Sequence, residues 1–278
     1  MPWKYTDEYY REYTRTTWNE SADDYRALQR NLAPFRAALV DRLAARSGER
    51  ILDLGTGPGE PGLTLAGAVA PSGRVLGVDL SERMIEIAQA AAAARSVANA
   101  EFRVMDCSSL AIGDAEFDGA ISCFGFQIFT DPEKAARETH RVLTPGGRIA
   151  VCVWSTADRV PWIHAIIGPM LRHAEPDETG YIPTPYELGG PGEMARFLTA
   201  AGFRETREER VRFPVTFRDE DEYLRSILKG TPIGHSLSEE PPAVQDEVLR
   251  ETRANLVPWS TAGGISMPSE CVLVTARR

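Results

Sequence analysis

The feature that most constrains the fold is a short apolar run that leads directly into a glycine-rich turn, RILDLGTGPGE, at residues 50–60. Ile51, Leu52 and Leu54 form a continuous apolar run, which is typical of a strand buried on both faces of a parallel sheet. The glycines that follow leave the backbone bare where the chain must turn and a ligand can approach it closely. Because residues 60–70 are predicted to be a helix, the sequence predicts a strand, a bare loop and a helix, an arrangement that binds nucleotides.

The spacing inside this loop disfavours a ligand that is held through phosphates. A dinucleotide fingerprint reads G-x-G-x-x-G, whereas the third glycine of this loop, Gly59, comes one residue early. Pro58 and Pro61 have no N–H to offer a phosphate, Glu60 would repel one, and no Gly-Lys-Ser/Thr of a P-loop follows. A nicotinamide-dependent oxidoreductase is therefore disfavoured, and the loop better fits a nucleoside with a cationic or zwitterionic tail.

Four motifs, in this order, resemble those of the class I S-adenosylmethionine-dependent methyltransferases: ILDLGTGPG (51–59), VLGVDLS (75–81), FRVMDC (102–107) and RVLTPGGRI (141–149). Within that class the chain is similar to the ubiquinone/menaquinone-biosynthesis methyltransferases. As a set the motifs are specific, and they cover roughly residues 30 to 155. The resemblance implies a doubly wound, Rossmann-like α/β fold with a seven-stranded, mostly parallel sheet and an antiparallel last strand. It also implies S-adenosylmethionine as the cofactor and S-adenosylhomocysteine as the product.

The second predicted strand, residues 74–78, ends at Asp79, 20 residues beyond the last glycine of the loop. In a doubly wound fold an acid at this position faces the ribose, whose two hydroxyls can donate to one carboxylate. Leu80 can then lie against the adenine ring, and Ser81 is predicted to cap the helix that follows. The resemblance places Met84 in the adenine pocket as well.

The third predicted strand, residues 99–105, is followed by three residues expected at the adenine ring. The resemblance implies that Asp106 accepts a hydrogen bond from the adenine amino group, while the Cys107 N–H donates to a ring nitrogen. A carboxylate followed by an amide supplies this pairing of an acceptor with a donor. Ser108 completes the predicted adenine loop.

The remaining expected cofactor contacts come from the first strand, the glycine loop and the fourth strand. Glu60 has two open roles, contact with the methionine ammonium or capping of the next helix. We favour the contact, with the backbone of Gly55 and Gly57 nearby. The other residues expected in or beside the cofactor site are Asp53, Thr56 and Cys123.

Residues 5–46 predict two helices joined near residues 19–21, with Ser21 as the N-cap of the second helix. Pro34 is expected to kink or break this second helix. In the family such a segment commonly folds over the cofactor. Tyr13 and Trp18 are therefore lid candidates, with packing on the protein surface as the alternative.

The fourth predicted strand, Phe117 to Cys123, should end beside the methyl group that is transferred. Its exit, FGFQ (124–127), lacks the Asp/Asn-Pro-Pro-Tyr/Phe found in amine- and nucleobase-directed methyltransferases of this fold. The exit also offers no acid before Asp131, which with Pro132 is predicted to start a helix. We therefore expect no metal ion at this site.

Beyond Trp154 the composition changes, and aromatic residues among prolines and glycines at 155–190 predict a helical cap over the sheet. Residues 203–213 and 272–276 are predicted as the sixth and seventh strands, the latter at the sheet edge. Segments inserted after strands four, five and six can build a substrate pocket, because ligands of open α/β sheets bind beyond the strand ends.

The predicted division of the chain has four parts: 1–46 (helical lid), 47–154 (S-adenosylmethionine-binding core), 155–190 (substrate cap) and 191–278 (the rest of the core). The last part includes a helical insert at about 216–264, with helices near 219–228 and 242–256.

Methyl transfer requires alignment of the reactants, and a base only for some acceptors. Positioning alone can lower such a barrier by about 7–11 kcal/mol, so a catalytic residue is not required. The candidates for a base are His164, first, followed by Tyr181 and His235.

Composition limits the partners. The net charge of −9 argues against nucleic acids and anionic membrane surfaces, and no apolar run approaches the length of a membrane span. These features predict a cytoplasmic protein whose four cysteines are reduced and mostly buried. The expected partner is a small, fairly apolar acceptor methylated on oxygen or carbon rather than nitrogen, and a homodimer is one open arrangement. The alternative is a regulatory protein that binds S-adenosylmethionine without transferring methyl groups.

Overall fold

The computed structural model describes residues 8–173 and 184–278, apart from the side chain of Tyr9. Its central sheet runs in the order β3-β2-β1-β4-β5-β8-β6, and all strands on this path are parallel except β8. A short additional strand, β7, pairs with β8. The doubly wound α/β fold with an antiparallel last strand is therefore confirmed. The strands are β1 (Arg50–Leu54), β2 (Arg74–Asp79), β3 (Ala100–Val104), β4 (Phe117–Cys123), β5 (Leu143–Trp154), β6 (Arg204–Phe217), β7 (Ser260–Thr261) and β8 (Gly264–Arg277).

Helices cover both faces of the sheet, because neighbouring residues of the central strands point to opposite faces and both are apolar. Ile51 belongs to a cluster that includes residues of α2, α3 and α6, whereas Leu52 belongs to a cluster with residues of α5 and α7. The described helices are α1 (Glu8–Tyr25), α2 (Gln29–Leu43), α3 (Gly62–Val69), α4 (Glu82–Ala94), α5 (Pro132–Val142), α6 (Pro161–His173), α7 (Glu193–Ala200), α8 (Glu220–Gly230), α9 (Pro232–Ser238) and α10 (Pro242–Leu256).

The prediction that the last strand lies at the sheet edge is wrong. The structure places β8 between β5 and β6, and β6 forms the edge. Residues 271–274 of β8 are all buried, as an interior strand requires, whereas β6 begins RETREERVR. Charged side chains on an edge strand discourage pairing with other chains, so the composition of β6 suits the outer position.

The predicted junction of the N-terminal helices is also wrong. Helix α1 continues through residues 19–21, and the change of direction comes at residues 26–28, which form a single 3-10 turn. Ser21 is buried inside α1 rather than capping a helix. The polar side chains of Asn19 and Glu20 bond to α4 and α9, respectively, instead of to the backbone of α1. Helix α2 runs through Pro34 without a break.

One helix of the insert, α9, was not predicted, although α8 and α10 fall where helices were expected. Its start carries a local signal: the Thr231 hydroxyl accepts a hydrogen bond from the Ile233 N–H, and Pro232 is the first helical residue. Threonine as the N-cap followed by proline is a common helix start. The signal was available in the sequence, but the helix has only seven residues.

Phe35 of α2 joins the N-terminal helices to the sheet. Its side chain is fully buried, and its ring lies edge-on to those of Phe124, Trp154 and Phe213, at centroid distances of 5.9, 5.2 and 5.1 Å. Edge-to-face pairs of this kind add to the stabilisation from burial. Phe35 therefore packs against the residues at the ends of β4 and β5, Phe124 and Trp154, and against β6.

We expect Phe35→Ala to lower the free energy of unfolding by about 3–5 kcal/mol, because it leaves a cavity among three aromatic rings. Urea denaturation followed by circular dichroism measures this change. Val257→Ala is the matched control, since Val257 is 69% exposed and its truncation should change stability by less than about 0.5 kcal/mol. A loss below about 1 kcal/mol for Phe35→Ala would contradict this role.

Candidate active site

A cavity of about 450 Å³ lies beyond the carboxyl ends of the parallel strands, where open α/β sheets bind ligands. Its volume is in the range of small-molecule sites. One part, here called the loop half, is formed by residues that follow β1, β2 and β3. The other part, the aromatic half, is formed by the exits of β4 and β5 and by α6, α8 and α9. The loop half includes Gly55, Gly57, Asp79, Leu80, Met84 and Asp106; the aromatic half includes Phe124, Trp154, Trp162, Ile163, Ile227 and Ile233.

The glycine loop needs its glycines for two different reasons. Gly55 and Gly57 have φ values of +65° and +53°, a conformation that disfavours other residues. A Cβ on Gly57 would meet nothing within 4 Å, so the backbone here faces open space. A Cβ on Gly59 would lie 3.1 Å from Leu63 and 3.2 Å from Ala88, so this glycine lets α3 and α4 pack closely.

Asp79 holds the loop and the start of α4 together. Its Oδ2 accepts from the Gly57 N–H at 2.8 Å, and its Oδ1 accepts from the Ser81 N–H at 3.0 Å. Burial raises the pKa of this carboxyl group, while backbone N–H donors oppose the rise. Each carboxylate oxygen has a second lone pair, and the side chain lines the cavity. The predicted cap is confirmed, because Ser81 Oγ accepts from the Met84 N–H.

Asp53 and Thr56 do not line the cavity; they support the loop from below. Asp53 is fully buried, and its Oδ2 accepts from Thr56 Oγ1 at 2.6 Å and from the Gly62 N–H at 2.9 Å. Its Oδ1 has no hydrogen-bond partner among the described residues. Burial raises the pKa of this carboxyl group to about 7, against the effect of the two hydrogen bonds.

Asp53 should therefore make stability depend on pH. Its pKa in the folded protein is about 7, above the value of about 3.9 in an unfolded chain. The folded state binds more protons between these values, so this group's contribution falls as pH rises from about 4 to about 7. We expect Asp53→Asn to lack this loss, so that the stability of the variant relative to the wild type rises by up to about 4 kcal/mol across that window.

Urea denaturation at several pH values measures the difference. Thr56→Val is the matched control, because it removes one hydrogen bond but leaves the carboxyl group, and it should keep or steepen the pH dependence of the wild type. Parallel stability curves for the wild type and Asp53→Asn would show that Asp53 does not titrate in this window.

Glu60 also lies outside the cavity lining. Its Oε2 accepts from the N–H and hydroxyl of Thr64, at 3.2 and 2.7 Å, and its Oε1 pairs with Arg95. These contacts are those of a residue at the start of α3. Of the two roles left open for Glu60, the geometry supports capping, and contact with an ammonium group stays a prediction.

Asp106 and Cys107 line the loop half, whereas Ser108 does not. The Ser108 N–H instead donates to Asp106 Oδ1 at 2.8 Å, which fixes the carboxylate. Asp106 Oδ2 lies 3.0 Å from Arg11 Nε of helix α1. The predicted adenine loop is therefore in contact with the N-terminal helix.

Helix α1 covers the cavity with one face. Tyr10, Tyr13, Thr14, Thr17 and Trp18 all line it, at the spacing of one helical face. The ring of Trp18 lies edge-on to Tyr25 at 5.4 Å, and the Tyr13 hydroxyl is 2.9 Å from Ser236 Oγ of α9. Both predicted lid residues therefore reach the cavity.

A second, polar face of α1 binds the start of α4. Arg15 Nη1 donates to Glu82 Oε1 at 2.8 Å, and Asn19 Nδ2 donates to Glu82 Oε2 at 2.9 Å. Asn19 Oδ1 also accepts from the Ser81 hydroxyl at 2.6 Å and from the Arg83 N–H at 3.1 Å. Asn19 thus supplements the N-cap of α4 from another helix. Sequence reasoning missed Arg15 and Asn19, because their partners are more than 60 residues away.

The aromatic half is built around Phe124 and Trp154, whose rings stack at a centroid distance of 4.0 Å and an angle of 17°. Trp162 lies edge-on to Trp154 at 5.5 Å. Phe124 has a φ of +61°, which is unusual for a bulky residue. Strained backbone of this kind is concentrated at functional sites. Cys123, at the end of β4, also lines the cavity.

The charged residues that line the cavity are all acidic in the described part of the chain: Asp79 and Asp106 in the loop half, and Glu187 in the segment between α6 and α7. Gln127 adds a carboxamide to the aromatic half. Sequence reasoning named neither Gln127 nor Glu187 as a site residue. Gln127 belongs to the exit of β4 that was expected beside the methyl group, so its position was a usable signal.

The predicted bases are not brought to the cavity. His164 lies edge-on to Tyr186 at 6.1 Å, and His235 Nδ1 lies 3.0 Å from Glu20 Oε2; neither histidine lines the cavity. Tyr181 lies outside the described residues. A base role for any of the three stays a prediction, which the positions of the two histidines do not support.

Within residues 8–173 and 184–278, no group of three or more His, Cys, Asp or Glu side chains is arranged to hold a metal ion. No helix of these segments is long and apolar enough to cross a bilayer. The four cysteines are free thiols, and Cys123 Sγ lies 3.6 Å from Cys152 Sγ.

The family model for a methyltransferase domain matches residues 51–147. The chain is 32% identical over 213 residues to the ubiquinone/menaquinone biosynthesis C-methyltransferase UbiE of Syntrophotalea carbinolica, a match that covers 70% of this chain and 87% of that protein. It is 30% identical to nocamycin O-methyltransferase of Saccharothrix syringae, over 63% of this chain and 66% of that one. Several other curated relatives are matched over only 33% to 62% of their own length.

Among solved structures, the fold is similar to that of the YcgJ protein of Bacillus subtilis, with a TM-score of 0.61 and 19% identity over 90% of this chain and 98% of that one. The chain belongs to the class I S-adenosylmethionine-dependent methyltransferases, in the group similar to the ubiquinone/menaquinone-biosynthesis enzymes. Its cofactor is S-adenosylmethionine.

Proposed function

We propose that this protein methylates an oxygen or carbon atom of a small, fairly apolar acceptor. One cavity holds both halves of the site, and this observation carries the proposal. The acids at the strand ends and the bare glycine loop lie in the same cavity as the aromatic wall. S-adenosylmethionine supplies, when bound, an electrophilic methyl group on a sulfonium. The enzyme's own residues then need to align the acceptor with this group and to exclude water.

The loop half fits the cofactor. Asp79 has carboxylate lone pairs available for the ribose hydroxyls, and Asp106 with the Cys107 N–H offers the acceptor and donor that adenine requires. Leu80 and Met84 supply apolar contact for the ring. The bare backbone at Gly57 leaves room for the amino-acid tail. In this proposal residues 1–46 act as a lid and residues 155–190 as a substrate cap.

The aromatic half supports an apolar acceptor. Phe124, Trp154 and Trp162 give it a wall that can stack on a flat ring, and no Lys, Arg or His lines the described cavity to bind an anionic group. A carboxylated or phosphorylated acceptor would lose its hydration here without gaining a cation. The similarity to a quinone C-methyltransferase and to an O-methyltransferase supports carbon or oxygen as the methylated atom.

Asp79 provides the first test of the cofactor site. We expect Asp79→Ala to weaken S-adenosylmethionine and S-adenosylhomocysteine at least tenfold, about 1.4 kcal/mol, because the hydrogen bonds to the ribose are lost. Isothermal titration calorimetry measures both affinities. Glu101→Ala, which removes an exposed carboxylate of β3, is the control and should bind both ligands like the wild type. Unchanged affinity in Asp79→Ala would exclude Asp79 as the ribose ligand.

Glu187 lines the cavity from the segment between α6 and α7, and we propose that it accepts a proton from an acceptor that loses one on methylation. Its Oε1 is held by the Thr184 N–H at 3.2 Å. Glu187→Gln should lower kcat about 10²–10⁴-fold, the usual contribution of a general base, with unchanged affinity for S-adenosylhomocysteine. Turnover of a phenol and quinol panel, followed as S-adenosylhomocysteine release, measures the effect.

The matched control for Glu187→Gln is Glu239→Gln, which changes a carboxylate outside the cavity and should keep full activity. Wild-type rates in Glu187→Gln would mean that positioning alone supports catalysis. Tight binding of S-adenosylmethionine without any methylated product from the panel would favour a regulatory protein that only binds the cofactor.

A further inference from the structure

The orientation of the Gln127 carboxamide is fixed by the backbone of β5. Gln127 follows β4 and lines the aromatic half, and its Oε1 accepts a hydrogen bond from the Trp154 N–H at 2.7 Å. A backbone N–H can only donate, so the oxygen of the carboxamide must face it. This contact removes the usual ambiguity between the oxygen and the nitrogen of a glutamine side chain.

The nitrogen of the carboxamide is then the group left for a ligand. An amide NH₂ carries two donors and no acceptor. Among the hydrogen bonds of the described residues, Nε2 of Gln127 has none. A donor beside aromatic and aliphatic side chains is costly to desolvate unless it gains a partner. The hydroxyl groups of the same cavity can rotate to donate or accept, whereas the NH₂ group of Gln127 can only donate.

The Gln127 donor is connected to the sheet through Trp154. Trp154 is the last residue of β5, where it pairs with Cys271 of β8. The same tryptophan holds Gln127 through its N–H and stacks its ring on Phe124. The Trp154 contact therefore places the donor beside the ring that a flat acceptor would stack on.

We propose that Gln127 determines acceptor specificity by donating a hydrogen bond to an uncharged oxygen of the acceptor, a carbonyl or phenol oxygen on a flat conjugated ring. The inference rests on the proposed function and deepens it. An acceptor without such an oxygen leaves the donors of Gln127 unpaired, and sites built to hydrogen-bond a substrate strongly reject analogues that lack the partner. The acceptor class is therefore oxygenated aromatic or conjugated ring compounds rather than plain hydrocarbons such as isoprenoid chains.

The test compares two ligands that share one skeleton, 1-tetralone and tetralin, which differ by a single carbonyl oxygen. Their dissociation constants are measured by competition and calorimetry on enzyme saturated with S-adenosylhomocysteine. The ratio of the two constants within one variant is the readout, because hydrophobic differences between the ligands cancel when ratios are compared between variants.

Gln127→Glu is the decisive variant. It keeps an oxygen for the Trp154 N–H and removes the two donors, so a merely structural role of Gln127 would survive it. We expect the dissociation constant of 1-tetralone, divided by that of tetralin, to rise at least tenfold. The affinity for S-adenosylhomocysteine should stay unchanged. Gln127→Met, which removes donor and acceptor together, should show the same shift with a lower melting temperature, and it serves if the glutamate variant does not fold.

Gln89→Glu is the matched control, since the amide of Gln89 donates to the Phe102 carbonyl away from the cavity, and its ratio should equal that of the wild type. Ratios unchanged in both Gln127 variants would overturn the proposal, as would failure of 1-tetralone to bind wild type that binds S-adenosylhomocysteine. Failure of the proposed function is distinguishable, because it shows as the absence of methylated product from the phenol and quinol panel in the wild type, whatever the ratios in the Gln127 variants.

Discussion

The arrangement of the site depends on the two backbone hydrogen bonds that Asp79 accepts, from the loop after β1 and from the start of α4. They set the path of the bare loop beside the end of β2, and they fix the first turn of α4. Asn19 of α1 then bonds to this same first turn. The position of helix α1 relative to the central strands therefore depends on the carboxylate of Asp79.

Local signals explain why the first half of the chain could be predicted. A buried strand, its glycine turn and its helix are encoded within about 20 residues, as are Asp79 at a strand end and Ser81 as a cap. Long-range choices could not be predicted this way. The interior place of β8 depends on its partners on both sides, and α1 continues through residues 19–21 because Asn19 and Glu20 bond to other helices. The sequence favours His164 as a base because it lies on the cap just after the fifth strand, but neither His164 nor His235 lines the cavity.

The two halves of the site have different physical origins. The loop half consists of backbone and acids at the ends of β1, β2 and β3, whereas the aromatic half combines two strand ends with helices from the segments after β5 and β6. Phe124, at the centre of the aromatic half, has a positive φ, a conformation that would be less strained for a glycine. Stacking on Trp154 and the edge contact with Phe35 compensate for this conformation.

Helix α1 contacts both halves of the cavity. Tyr13 bonds to Ser236 of α9 in the aromatic half, and Arg11 pairs with Asp106 in the loop half. The cavity face of the helix also includes Tyr10, Thr14 and Thr17. Both ligands would contact this helix, so ordering of α1 by one ligand lowers the entropic cost of binding the other. Thermodynamic reciprocity then makes the coupling factor between the two ligands the same in both directions. A single covering helix thus gives the fold a means of coupling the two ligands that needs no dedicated regulatory site.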